Sequence, residues 1–179
     1  MEKIVVHAER LIQASLDESL TAVVYELLTS DPWQTDIRQV PGAKGRFTHH
    51  ITSPDGTVVT TELAIQRTSQ SIKIAYSTSH EQGRFTGTIR LTSQPDGTEP
   101  TRLQIRAAVV PTGKTVRGAR PSQASYAGLI RGVADRIKSC ATLMTSTPGS
   151  NLRSEVLHQA TRVVHLTRAL PQREGMEIG

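Results

Sequence analysis

The chain has 179 residues, of which 36% are hydrophobic and 21% are charged, and it contains 13 Gly and 9 Pro. This size and composition fit one globular domain with a sizeable core, and they exclude a collagen-like chain, a coiled coil and a wholly disordered chain. Cys140 is the only cysteine, which excludes an internal disulfide and means that a zinc site built from cysteines would need several chains.

Hydropathy and charge indicate where in the cell we expect the protein and which partners we expect it to bind. No run approaches the ~20 apolar residues that cross a bilayer, and the first residues lack the apolar segment of a secretory signal, so we expect a cytoplasmic protein without a transmembrane segment. Basic residues exceed acidic ones by 21 to 16, and residues 41–121 carry the excess, with 11 basic and 5 acidic side chains. Aromatic residues that would stack on bases are only 3% of the chain. We therefore do not expect nucleic acid as a partner and interpret the charge as the solvated face of a sheet.

The first two predicted elements are a strand and a helix. Apolar residues at even spacing predict a half-buried strand over roughly residues 3 to 13. Ser15 as N-cap and Glu18 at the third helical position form a capping box, and apolar residues at helical spacing follow to Leu28. The helix is predicted to reach about Thr29 and to end before Pro32, because proline disfavours helical geometry in the preceding residue.

Five strands joined by hairpins are predicted from there to about residue 110, because the apolar period becomes two and turn sequences interrupt it. The face that we expect to be buried carries Phe47, His49, Ile51, Val59, Thr61, Leu63, Ile65, Ile72, Ile74, Tyr76, Thr78, Phe85, Gly87, Ile89, Leu91, Leu103, Ile105, Ala107 and Val109. The opposite face is polar and mostly basic. This pattern predicts an antiparallel meander with one solvated and one covered face.

Two helices are predicted to follow. A long amphipathic helix from Ser122 to about Thr145 would cover the apolar face of the sheet, and its small residues Ala124, Ala127, Gly128, Gly132 and Ala134 would leave room for a cavity. We assign residues 1–147 to a ligand-binding domain and residues 148–179 to an extension, a helix followed by a polar tail. The apolar side of the extension's helix either packs on the domain or pairs with a second chain, which would make a homodimer.

Two segments resemble a known superfamily. The run Ile12-Gln13-Ala14-Ser15-Leu16-Asp17-Glu18-Ser19-Leu20 is similar to the opening strand and helix start of the SRPBCC superfamily, and Asp31-Pro32-Trp33, leading to Ile37 and Val40, is similar to its loop with a Trp. The resemblance covers roughly residues 3 to 146. It implies the START-related helix-grip fold, an α+β arrangement in which a curved antiparallel sheet grips a long C-terminal helix. Polyketide cyclase/dehydrase and lipid-transport-like members look closest.

The resemblance also implies a function, binding of a hydrophobic or amphipathic small molecule between sheet and helix. It provides no shared catalytic set, so whether the domain is an enzyme stays open; a polyketide cyclase/dehydratase is the candidate reaction class. The expected ligand-binding residues are Phe47, Thr61, Leu63, Ile74, Tyr76, Phe85, Ile89, Ile105, Tyr126, Ile130, Val133 and Ile137.

Four polar residues are candidates for chemistry at this site. His49 could shuttle protons near neutral pH and Tyr76 could hydrogen-bond a carbonyl or enolate, which is what cyclisation or dehydration needs; alternatively, both polar tips lie in water at strand ends. Arg117 and Arg120 lie on the loop before the long helix, where they could clamp a carboxylate or phosphate of the ligand.

No cofactor or metal site is predicted, because neither pair of neighbouring histidines has a third ligand beside it. The alternative function is a protein-interaction module of the co-chaperone or ribosome-associated type. It would use the tail helix and the basic outer face of the sheet, formed by Lys73, Arg84, Arg90, Arg102 and Arg106.

Overall fold

A computed structural model describes residues 3–29, 34–80, 83–96, 100–111, 122–146, 152–168 and 170. The strands are β1 (Ile4–Ile12), β2 (Gln34–Gln39), β3 (Arg46–Thr52), β4 (Val58–Arg67), β5 (Ser71–His80), β6 (Gly83–Thr92) and β7 (Thr101–Pro111). The helices are α1 (Leu16–Leu28), α2 (Gln123–Ser146) and α3 (Ser154–Arg168).

The strands form one antiparallel sheet in the order β1-β7-β6-β5-β4-β3-β2. Strands β2 to β7 pair consecutively, and β1 closes the sheet at the far side by pairing with β7. The five predicted hairpin strands are confirmed as β3 to β7, with the apolar residues on one face. The sequence prediction missed β2, because Ile37 is the only apolar residue among its six and a single apolar residue gives no alternation.

Helix α1 begins as the sequence predicts. The Glu18 backbone N–H donates to Ser15 Oγ at 3.2 Å, and the Ser15 N–H donates to Glu18 Oε1 at 3.1 Å, which completes the capping box. Thr29 is the C-cap. The segment Asp31-Pro32-Trp33 lies outside the described residues.

Helix α2 packs along β1 and α1, with Ala134, Ile137 and Cys140 buried. Arg10 of β1 donates to Asp135 at 2.7 Å and Arg136 donates to Glu26 of α1 at 2.5 Å, so ion pairs fix the helix on both sides. The expectation about small residues is only partly met: Ala134 faces the core, but Ala124 and Gly128 lie on the exposed side of the helix. Their small size therefore does not make room above the sheet.

Helix α3 packs on α1 through buried apolar side chains, Val156, Ala160, Val163 and Val164. Two hydrogen bonds fix it: the Arg153 N–H donates to Tyr25 Oη at 2.8 Å, and Arg162 donates to the carbonyl of Ile37 at 3.2 Å. Of the two arrangements left open by the sequence, packing on the domain is the one observed. The apolar face of α3 is therefore already covered within one chain. No helix in the described ranges is long and apolar enough to cross a membrane.

Candidate ligand site on the inner face of the sheet

One end of the sheet's inner face is closely packed. Ile72, Leu91 and Leu103 are neighbours across β5, β6 and β7, and each is 0% exposed. The next row, Ile65, Ile74, Ile89 and Ile105, is at most 4% exposed. A side chain that lines a water-sized void keeps accessible surface, so these values mean direct packing against α1 and α2. We call these two rows the closed end.

The other end of the inner face is reached by solvent. Half-buried side chains lie there on both walls, namely Ile51, Val59, Thr78 and Phe85 on the sheet and Tyr126, Ile130 and Val133 on α2. The rings of Phe85 and Tyr126 meet edge to face, with centroids 6.3 Å apart and planes at 65°. We call this region the open end.

The twelve residues expected to bind ligand divide between the two regions. Tyr76, Phe85, Tyr126, Ile130 and Val133 are half-buried and border the open end. The other seven are at most 8% exposed, and they are Phe47, Thr61, Leu63, Ile74, Ile89, Ile105 and Ile137. Apolar periodicity placed all twelve residues on the face that lies between the sheet and α2. It does not indicate how deeply each residue is buried on that face.

A group of neutral polar side chains interrupts this apolar face on β3, β4 and β5. His49 on β3 lies opposite Thr61 on β4, and Thr61 lies opposite Thr78 on β5. The Thr61 and Thr78 hydroxyl oxygens are 2.6 Å apart and hydrogen-bonded. Tyr76 lies two residues before Thr78 on the same side of β5. We call His49, Thr61, Thr78 and Tyr76 the polar stripe.

Tyr76 lies across Gly87 of the neighbouring strand. A methyl group at Gly87 would come within 2.5 Å of the Tyr76 hydroxyl oxygen and would also collide with the carbonyl of Arg106, so only glycine leaves room for the ring. Burial raises the pKa of Tyr76 to about 12. The hydroxyl is therefore protonated at neutral pH and can donate a hydrogen bond.

His49 is 2% exposed, and its Nε2 has no hydrogen-bond partner among the described residues. Burial lowers the pKa of His49 to about 4; the positive charge of His50 contributes in the same direction and Asp36 opposes it. The ring is therefore neutral at pH 7 and does not lie in water, which was the alternative for this residue. Any part that His49 takes in chemistry starts from the neutral imidazole.

Charged side chains on the inner face of the described strands are paired. Arg10 contacts Asp135, and Arg67 contacts Asp17 at 2.6 Å. Both arginines belong to the closed end, because Arg67 and Arg10 flank the row of Ile72, Leu91 and Leu103. The open end has apolar and neutral polar side chains within the described ranges. Arg117 and Arg120, the candidate anion clamp, lie outside those ranges.

Known structures match the fold of this chain, although no protein-family model and no curated protein sequence matches its sequence. A conserved protein from Geobacillus kaustophilus aligns with a TM-score of 0.55 and 8% identity over 78% of this chain and 93% of that one. The di-domain ARO/CYC StfQ of the steffimycin biosynthetic pathway aligns with a TM-score of 0.52 and 12% identity over 81% of this chain and 53% of that one.

A third solved structure, from a different kind of protein, matches the same fold. Norcoclaurine synthase of Thalictrum flavum, a point mutant in complex with a transition-state analogue, aligns with a TM-score of 0.50 and 16% identity over 81% of this chain and 98% of that one. The chain has the helix-grip fold. The resemblance to the SRPBCC superfamily is thus confirmed as a resemblance of fold, with α3 as an addition to the sheet and long helix.

The outer face of the helix-grip sheet has a separate, open depression of about 510 Å³. It is lined by His7, Ala8, Glu9, Thr88, Arg90, Gln104, Ile105 and Arg106. Arg102 lies nearby and contacts Glu9 at 3.4 Å. The basic outer face predicted from the sequence is therefore present, with Arg84, Arg90, Arg102 and Arg106 exposed and Lys73 half-buried.

Across the described ranges, no three His, Cys, Asp or Glu side chains lie close enough to hold a metal ion.

Proposed function

We propose that this helix-grip domain binds a hydrophobic or amphipathic small molecule, lipid-like or polyketide-like, between the open end of the sheet and α2. The observation that carries the proposal is the change in exposure along the inner face, from a closely packed end to an end whose apolar walls are reached by solvent. A mostly apolar surface with a few directed polar groups is typical of ligand sites.

Aromatic side chains concentrate at the same place. The chain has six of them, and three border the open end, namely Tyr76, Phe85 and Tyr126, while Phe47 is buried on the same inner face. Aromatic rings supply large flat contact surfaces, which favours flat or ring-containing ligands. Two of the matched structures have names that point to the chemistry of small organic molecules, an ARO/CYC protein of a biosynthetic pathway and a synthase bound to a transition-state analogue.

Native mass spectrometry of the purified protein, compared with the same sample after denaturation and organic extraction, tests binding. We expect an additional mass of a few hundred daltons in the native sample. Val133→Trp should fill space between α2 and the sheet and abolish that mass, whereas Leu129→Trp on the exposed side of α2, where Leu129 is 57% exposed, should retain it. Bare protein that also fails to bind a panel of lipids and aromatic polyketides would contradict the proposal.

The proposal extends to conversion of the ligand by cyclisation or dehydration. Tyr76 as a protonated donor could polarise a carbonyl, and the neutral imidazole of His49 could accept a proton from an acidified carbon or hydroxyl. With the extracted ligand as substrate, Tyr76→Phe and His49→Ala should each slow turnover by more than about tenfold. Rates equal to those of the unmodified protein would leave a carrier or sensor as the function.

The basic outer face supports a second candidate, a protein-interaction module. The depression beside Arg106 offers a concave surface with exposed positive charge, which favours an acidic partner. The tail helix contributes less than the sequence suggested, because its apolar face is buried on α1. Binding of an acidic polypeptide that is lost in the Arg102→Glu/Arg106→Glu variant would favour this candidate, and equal retention by that variant would exclude it.

A further inference from the structure

The depression on the outer face of the sheet collects side chains from three neighbouring strands. Residues that lie directly opposite one another on β1, β7 and β6 form two adjacent rows, the first of His7, Arg106 and Thr88 and the second of Glu9, Gln104 and Arg90. Opposite side chains of an antiparallel pair have Cβ atoms about 5 Å apart, and diagonal ones about 7 to 8 Å apart. Arg106 therefore has an imidazole and a hydroxyl as its direct neighbours and the side chain of Arg90 as a diagonal one.

The charge of these rows is positive. The Glu9 carboxylate lies 3.4 Å from Nε of Arg102 and 3.4 Å from the side-chain amide of Gln104, so its negative charge is already offset. Arg90, Arg102 and Arg106 supply three positive charges against this negative one. Within the described part of the chain, Arg106 forms no ion pair. An anion that binds beside Arg106 thus gains a cation without displacing the carboxylate of a described residue.

The donors around Arg106 suit a phosphate group better than a carboxylate. A single exposed ion pair contributes little, because water solvates both partners well. A phosphate monoester carries about two negative charges and three acceptor oxygens, so it can accept two parallel hydrogen bonds from a guanidinium and a third from a neighbouring donor. The Thr88 hydroxyl and the His7 ring lie directly on either side of Arg106 and provide such donors.

The depression is larger than a phosphate group needs. Its volume of about 510 Å³ lies within the range of small-molecule sites, about 300 to 1,000 Å³. The Gln104 amide and the Glu9 carboxylate line the same space in the row beside Arg106, and both groups hydrogen-bond hydroxyl groups. A ligand with a phosphate at one end and hydroxyl groups at the other therefore matches the lining.

We infer that the depression binds a phosphate monoester of a hydroxylated small molecule, with its phosphate at Arg106 and its hydroxyl groups at Gln104 and Glu9. This site lies on the face of the sheet opposite the proposed hydrophobic ligand site. The inference therefore goes beyond the proposed function and does not depend on it.

NMR titration of the backbone amides of the full chain, at about 0.15 M salt, tests the inference with inorganic phosphate, glucose 6-phosphate and glucose. The amides of His7, Thr88 and Gln104 should shift with both phosphates. Glucose 6-phosphate should bind about threefold or more tightly than that relative to inorganic phosphate, because its hydroxyl groups add net hydrogen bonds, and glucose should cause no shift. Arg106→Gln should weaken binding of glucose 6-phosphate about tenfold, the effect of one lost charge-assisted hydrogen bond.

Arg84→Gln is the matched control, because it removes the same charge from the same face of β6 outside the depression. Arg84 lies about 13 Å along the strand from Thr88, which exceeds the Debye length of about 8 Å at this salt concentration. This variant should change the affinity for glucose 6-phosphate by less than about twofold.

Equal weakening in the two variants would overturn the inference, because it indicates attraction by overall charge and not by a site. Equal affinity for inorganic phosphate and glucose 6-phosphate, or no amide shift with any probe, would overturn it too. A short polyglutamate peptide that displaces glucose 6-phosphate and binds more tightly would also overturn it and favour the protein-interaction module. All of these results are independent of the native mass measurement, which tests the proposed ligand on the inner face.

Discussion

At the scale of the residue, the neighbouring histidines of β3 show how strongly position decides chemistry. His49 faces the core and is 2% exposed, whereas His50 faces outward, with its Nδ1 3.1 Å from Thr60 Oγ1. Burial lowers the pKa of His49 to about 4, far below the ordinary value for histidine. The two residues are chemically identical in the sequence, and one peptide unit of the strand separates a buried neutral ring from a solvated one.

The buried ring should make stability depend on pH. The folded-state pKa of His49 is about 4 and the ordinary value is 6.5, so between these values the unfolded state binds the proton more strongly. The free energy of unfolding should therefore be highest above pH 6.5 and should fall, by on the order of 2 to 3 kcal/mol, as the pH drops toward 4. Urea unfolding at several pH values measures it. His49→Gln should flatten this dependence, whereas His50→Gln should retain most of it, because burial is the larger cause of the shift and His50 the smaller one; equal slopes in all three proteins would contradict the assignment.

Gly87 provides a second test at the same scale. Gly87→Ala should displace Tyr76 and lower the free energy of unfolding by about 2 kcal/mol or more, because the new methyl meets the Tyr76 hydroxyl and the backbone of Arg106. The matched change Gly128→Ala meets no atom within 4 Å and lies inside α2, so it should raise stability by up to about 1 kcal/mol. Thermal unfolding of both variants measures the difference. A change in stability of the same sign in both variants would show that the close contact at Gly87 does not destabilise its alanine variant.

At the scale of the element, ion pairs and hydrogen bonds connect α3 to the domain. Asp17 in the first turn of α1 contacts Arg67 of β4 at 2.6 Å and Arg168 of α3 at 3.0 Å. Arg67 also donates to Thr167 of α3 at 3.4 Å. One carboxylate therefore joins a helix start, a strand end and the last turn of the added helix, and the Arg67 side chain is only 12% exposed.

Asp17→Asn should lower the free energy of unfolding by about 2 kcal/mol, because it leaves the buried Arg67 guanidinium without its anion. The control is Asp36→Asn, which removes an ion pair between two exposed side chains, Asp36 and Arg38, and should change stability by less than about 0.5 kcal/mol. Chemical denaturation of both variants measures the difference. Similar small losses in the two variants would mean that the cluster at Asp17 contributes no more than a surface pair.

Sequence patterns predicted most elements correctly because they are local. The capping box of Ser15 and Glu18, the alternation in β3 to β7 and the spacing of Val156, Ala160 and Val163 each depend on residues within one element. The exception, β2, is a short edge strand with one apolar residue, and it is defined by pairing with β3 instead of by its own pattern.

At the scale of the whole molecule, α3 completes the cover of α1. Its apolar face is buried within the chain, so we expect light scattering to give the mass of one chain, 19.5 kDa, and not that of a dimer joined through this face.

Deletion of residues 148–179 should lower the midpoint of thermal unfolding by about 10 °C or more, because it exposes apolar surface on α1. Deletion of residues 171–179 alone, which keeps α3, should change it little. A full-length dimer that the longer deletion converts into a folded monomer would contradict this and support the homodimer.

The sequence by itself determined which residues share a face, where α1 starts and which helix has an apolar stripe, because these follow from backbone geometry over a few residues. Only the tertiary structure decided how deeply each residue is buried. Ile74 and Tyr76 belong to one face of one strand, yet one is 1% exposed and the other half-buried, because α1 and α2 cover the closed end more completely than the open end. The neutrality of His49 and the pairing of Arg10 and Arg67 have the same origin, since burial and charge partners come from elements distant in the chain.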